Sequence, residues 1–173
     1  MHERIVSKER LVVKRVIKLV LLVVLFSVLI SLSYATRRSI SSAQAVDSPL
    51  ITITNQDRIA LGLAPLMPNI KLSAAAQAKA EDIFAVQYFD HYSPTGKSPW
   101  DFILESDYDY HRAGENLAIG FNDFESAEVA WLNSPSHRAN ILNTNFNDMG
   151  IGLKRGILQG KEAIVIVTMF GSP

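Results

Sequence analysis

Three histidines, His91, His111 and His137, lie in the last two-thirds of the 173-residue chain, and there is no cysteine. Disulfides, thiolate nucleophiles and cysteine metal sites are therefore excluded, which leaves imidazole and carboxylate chemistry. His137 sits in WLNSPSHRANIL, Trp131 to Leu142. Ser134 suits a helix N-cap and Pro135 the first helical position, so His137 is the third residue of the helix that follows. In a capping box that slot holds Glu or Gln. An imidazole at the positive end of the helix dipole stays neutral. A neutral ring can be a metal ligand, a base or a hydrogen-bond partner, or it can simply cap its own helix.

His91 stands in YFDHYSP, between Phe89 and Tyr92, where a long helical pattern ends. It reads either as a helix-end hydrogen bonder or as a ligand. Glu115 stands with Asn116 in AGENLAIGF, 113 to 121, directly before an apolar run. If its carboxylate points inward it needs a partner such as a histidine or a metal, and if it is a surface loop acid it needs none. His111, among Asp109, Tyr110 and Arg112, is a solvated loop residue with no assigned role. The spacing of His91, Glu115 and His137 is too wide for one element, so only the fold can gather them.

Other patterns fail. Gly150, Gly152 and Gly156 lie in an alternating strand pattern with no helix after it, which discounts nucleotide binding. Ser134 and Ser136 are not in a nucleophile elbow, and there is no H-E-x-x-H.

The elements that must position these side chains follow from periodicity and caps. Residues 50 to 61 predict a first helix, closed by Gly62. Residues 72 to 89 predict the clearest helix, with Leu72, Ala76, Ala80, Ile83 and Phe84 on an apolar stripe and Gln77, Lys79, Glu81 and Asp82 on the polar side. Ser98, Pro99 and Asp101 predict a capped helix start. Residues 124 to 133 predict a further helix burying Phe124, Ala127 and Trp131. Met149, Ile151 and Leu153 alternate, and AIVIVTMF at 163 to 170 is rich in β-branched residues, predicting two antiparallel strands joined across RGILQGK. Helices followed by a terminal hairpin make an α+β domain.

Zero net charge conceals a polar division. Residues 1 to 38 carry eight Lys and Arg against two Glu, and residues 39 to 173 carry nine against fifteen Asp and Glu. Residues 1 to 18 form a basic segment ahead of Leu19 to Ala35, an uncharged apolar run. As a helix the run is about 26 Å long, at the short end of a membrane span. The positive-inside rule keeps the N-terminus cytoplasmic and sends the rest out. A retained single-pass anchor is favoured over a cleaved signal, which would give a secreted protein. Residues 36 to 48 are small and polar, a flexible linker to a domain over 49 to 173 large enough for one core and expected to be monomeric. The acidic body argues against a nucleic-acid partner.

TNQDR at 54 to 58, GLAPL at 62 to 66, the alanine-rich helix, YFDHYSPTGKSPWDF, AGENLA, AWLNSPSHRANIL, MGIG and MFG, in that order, resemble the bacterial branch of the CAP superfamily. This is the SCP-domain family of cysteine-rich secretory proteins, antigen 5 and pathogenesis-related 1 proteins. The resemblance implies an α-β-α sandwich with a small antiparallel sheet, an extracytoplasmic setting, and a cleft lined by His91, Glu115 and His137. It further implies binding of an envelope ligand, whether lipid, glycan or protein, with Zn2+ or another divalent cation on His91 and His137 and Glu115 as third ligand or orienting partner. The alternative is a metal-assisted hydrolase in which Glu115 activates water. A structural cluster that merely ties loops together is a third reading. Many eukaryotic members carry a second glutamate just after the tryptophan, where this chain has Leu132, Asn133 and Ser134, so the cleft is one carboxylate short.

Overall fold

The computed structural model describes residues 17–31 and 48–173. Residues 17–31 form helix α1, an apolar helix carrying Lys18. Among the described residues no helix is long and apolar enough to cross a membrane. Most of the basic segment, the end of the 19–35 run and nearly all of the linker lie outside the described residues.

The remaining elements, in order, are α2 (Pro49–Ala60), β1 (Met67–Pro68), α3 (Ile70–Val86), α4 (Pro99–Glu105), β2 (Arg112–Ile119), α5 (Phe124–Asn133), α6 (Pro135–Ile141), β3 (Asp148–Leu158) and β4 (Lys161–Ser172). They make an α+β domain whose sheet runs β1-β3-β4-β2. β4 pairs antiparallel with β3 on one side and β2 on the other. The two-residue β1 adds a parallel pair, Met67 with Asp148 and Pro68 with Met149.

Alternation along β4 builds a core on each face of the sheet. Val165, Val167 and Met169 join Leu72, Ala75, Ala76, Ala80 and Ile83 of α3 and Phe102 and Ile103 of α4. Ile166 and Phe170 join Leu50 and Ile51 of α2, Ala127 and Trp131 of α5 and Ile141 of α6. Helices on both sides of one sheet give an α-β-α sandwich, and each fully buried Leu or Ile stabilises it by about 1.5–3 kcal/mol.

Small residues bring α3 against β3. A Cβ on Gly150 would lie 2.2 Å from the backbone carbon of Leu72, and one on Gly152 would lie 2.3 Å from that of Ala76. Any side chain there forces the helix off the sheet. The contact is reinforced by side chains of α3 and its C-cap that bond the outward backbone of β3: Ser73 Oγ accepts from the Ile151 amide, Gln77 Oε1 accepts from the Leu153 amide, and Gln87 Nε2 donates to the Ile157 carbonyl.

Three expectations need correction. The strands of the hairpin run through the segment expected to connect them, and the turn is only Gln159 and Gly160, both at positive φ (50° and 79°) as a two-residue hairpin of this hand requires. α3 starts two residues early, on Asn69, whose side chain accepts from the amides of Lys71 and Leu72. It stops at Gln87 in the left-handed conformation, which frees Tyr88, Phe89 and His91 from the helix. Lys79 is fully buried instead of facing solvent, because the chain beyond α3 folds back over it.

Candidate functional site

The site is built around β2, the outer strand. Its Leu117 faces the α3 core and Ala118 the opposite core. Glu115 accordingly projects on the α3 face and Asn116 on the α6 face. Glu115 is opposite Met169 of β4, so the central strand fixes its height in the sheet.

His91 arrives from the turn after α3. That turn is tied by Ser93, whose amide donates to the Lys97 carbonyl and whose Oγ accepts from the Lys97 amide. Ser98 and Asp101 then form the expected capping box, starting α4 with Pro99 in its first turn. His91 Nδ1 lies 2.6 Å from Glu115 Oε1. The His91 side chain is 49% exposed and that of Glu115 1%. The hydrogen bond to Glu115 pushes the imidazole above its ordinary value, against the pull of burial. Burial pushes the Glu115 carboxyl up, with His91 and Lys79 opposing it. Both directions favour a proton held between the two groups. Glu115 Oε2 is buried without a hydrogen-bond partner.

His137 is on α6, which starts at Pro135 after Ser134. Ser134 does not cap the helix amides; its Oγ is instead hydrogen-bonded at 2.9 Å to His137 Nδ1. Burial, followed by the charge of His91, pushes His137 below its ordinary value. The ring is thus kept neutral by its surroundings, beyond what the short helix supplies. α6 is fastened to β2 by amides absent from the sequence-based reading: Asn140 Nδ2 donates to the Glu115 carbonyl and to Asn116 Oδ1, and Asn116 Nδ2 donates to the His137 carbonyl. Their signal was present, since GEN and HRAN carry a polar residue where each element should bury one.

His91, Tyr92, Pro99, Trp100, Gly114, Glu115 and Asn140 line an open cavity of about 270 Å³. Trp100 and Tyr110 form a tilted aromatic pair beside it, with centroids 6.4 Å apart. The structure joins His91 to Glu115 directly and holds His137 nearby through Asn116 and Asn140. His111 takes no part: its amide donates to Ser172. Among the described residues no three His, Asp or Glu side chains form a set able to hold a metal ion. Glu115 is turned onto the ring of His91, the place of an orienting partner. A second buried glutamate exists, Glu128 on α5, but it faces α2 and does not supply the missing cleft carboxylate.

The family model of the cysteine-rich secretory protein family, CAP, matches residues 51–169. The chain is 43% identical over 112 residues to YkwD of Bacillus subtilis strain 168, covering 65% of this chain and 44% of that protein. It is 33% identical over 109 residues to the membrane protein YlbC of the same strain, covering 63% and 32% respectively. The chain thus spans less than half the length of either relative. It is similar to the crystal structure of an extracellular protein containing an SCP domain from Bacillus anthracis strain Ames, with a TM-score of 0.63 and 28% identity over 72% of this chain and 39% of that one. Matched by that family model over most of its length, and folded as an α-β-α sandwich, the chain belongs to the CAP family of cysteine-rich secretory proteins.

Proposed function

We propose that the chain is an extracytoplasmic CAP domain, anchored by its N-terminal apolar segment, that binds an envelope ligand in the cleft at His91 and Glu115. One observation carries the reading: a half-exposed imidazole is bonded to a buried carboxylate at the wall of an open cavity with an aromatic rim. A purely structural pair would not need an open ring nitrogen beside a cavity. The basic residues ahead of the apolar run, and the membrane and extracellular relatives, support the setting.

A divalent cation would engage the second ring nitrogens of His91 and His137, with Glu115 orienting His91 from behind. Bound there it would polarise an oxygen of the ligand. Two imidazoles need ligand or water oxygens to complete a zinc shell. In the metal-assisted hydrolase alternative His91 and His137 would hold the metal and Glu115, whose Oε2 carries no hydrogen bond, would activate water.

The test is retention of the purified full chain on isolated cell envelopes. Wild type is expected to be retained, and Glu115→Gln and His91→Ala are expected to lose most of it. Equal retention of all three would remove the cleft from the function. Zinc added to the same proteins should give a saturable signal that both His91→Ala and His137→Ala abolish. Hydrolysis products released from the envelopes would establish the hydrolase. Protease added to intact cells should remove the domain, and its survival would reverse the topology.

A further inference from the structure

We propose that Lys79 is a positioning residue for the cleft: its buried ammonium holds the backbone of the His91 turn on α3 and so keeps the His91 ring on Glu115. Lys79 is 0% exposed. Its Nζ donates to Tyr88 Oη at 3.0 Å, to the Asp90 carbonyl at 2.9 Å and to the His91 carbonyl at 2.6 Å. Three donors meet three acceptors, so the ammonium is fully engaged. Two of the acceptors are backbone atoms of the segment that carries the His91 ring. Tyr88 Oη donates onward to Asp82 Oδ2 at 2.7 Å, which orients the hydroxyl to accept from Lys79.

An apolar residue of similar length would fill this volume without the cost of burying a charge, but it would leave two carbonyls without donors. The charge is compensated from several sides. The Tyr88 ring lies 4.7 Å and the Phe102 ring 5.6 Å from Nζ, placing π-faces against it. Burial pushes the Lys79 ammonium below its ordinary value and Lys97 adds to this, while Glu115, Asp82 and Asp90 attract the charge and oppose the shift. Glu115 in turn feels Lys79 as an opposing charge that favours its anion. The physical chain therefore runs from α3 through the ammonium to the turn and the His91 ring, and closes on β2 at Glu115. Loss of the charge should release both ends.

This inference rests on the cleft reading only for its biological consequence. Its experiment reads the His91–Glu115 pair itself, so failure to bind envelopes leaves it standing. In the isotope-labelled full chain in detergent, the Nδ1 proton of His91, identified by its loss in His91→Ala, should resonate far downfield. Lys79→Arg should retain the signal. Lys79→Met should lose it or exchange it about tenfold faster or more, the scale of losing one charge-assisted hydrogen bond. Tyr88→Phe removes one acceptor of the ammonium but leaves the charge and its two bonds to the turn carbonyls, and should keep the signal. A wild-type signal in Lys79→Met, or equal loss in Tyr88→Phe, would overturn the proposal. If Lys79→Met does not melt cooperatively, the wild-type protein decides: the Lys79 ammonium should give a slowly exchanging resonance at neutral pH, and its absence would also overturn the proposal.

Discussion

Glu115 and Glu128 are both nearly inaccessible, at 5% and 1% exposure, yet the fold treats them in opposite ways. Glu115 has a histidine on one oxygen, a lysine charge nearby and an open cavity beside it. Glu128, between α5 and α2, has no hydrogen-bond partner on either oxygen among the described residues. The Thr54 hydroxyl is close enough to favour its anion slightly, but makes no bond of good geometry, and Asp57 opposes ionisation. Burial dominates and raises Glu128 to about 7. A carboxylate given partners has support for its charge. One denied them holds a proton and makes folding sensitive to pH.

The largest expected effect separates the two on that basis. Unfolded, Glu128 titrates near 4.5, and folded near 7, so between those values the folded protein keeps a proton that the unfolded chain releases. The contribution to stability is full below 4.5 and is lost as pH rises through 7, about 3 kcal/mol in all. Urea unfolding of the full chain in mild detergent should show Glu128→Leu gaining about that much more over wild type at pH 8 than at pH 4.5. Equal gain at both values would mean that Glu128 finds a partner in solution.

A smaller effect is expected at the partnered site. His91→Ala leaves the Glu115 carboxylate buried with neither oxygen bonded to a side chain, at a cost of about 2 kcal/mol at pH 7. Adding Glu115→Leu should recover most of it, since no charge then remains to be satisfied. A double variant as unstable as the single would show that His91 acts by packing. The smallest effect is at Thr54: Thr54→Val should change stability by under about 1 kcal/mol and push Glu128 slightly further up, because a weak support for the anion is gone. A larger loss would reveal a Thr54–Glu128 bond and weaken the contrast between the two acids.

Local chemistry made much of the scaffold readable. Ser98, Pro99 and Asp101 specify a helix start through their own side chains, and Phe124 to Asn133 has both a cap and an apolar stripe, so both elements stand where they were expected. β2 escaped because RAGENLAI buries residues on both sides of the strand, Glu115 and Asn116 among them, and so shows no alternation. The same holds for Lys79: its polar type and helical spacing point to solvent, and only the returning chain reveals carbonyls waiting for its donors. His91 and His137 could be proposed from the family resemblance, but the role of Glu115 as the orienting neighbour of one ring depends on which face of β2 it occupies. That is set by pairing with β4, not by anything within the GEN motif.

The capping of β3 by Ser73, Gln77 and Gln87 has a consequence for how copies of this domain coexist. Beyond its short pairing with β1, β3 is an edge strand, and an edge with free amides invites a strand from another molecule. Here the Ile151 and Leu153 amides and the Ile157 carbonyl are already engaged by side chains of α3 and its C-cap. An intruding strand would have to displace a helix packed against glycine at backbone distance. Crowded copies of the domain would thus find this side of the sheet closed to cross-chain pairing, a protection against aggregation that involves neither disulfides nor charge.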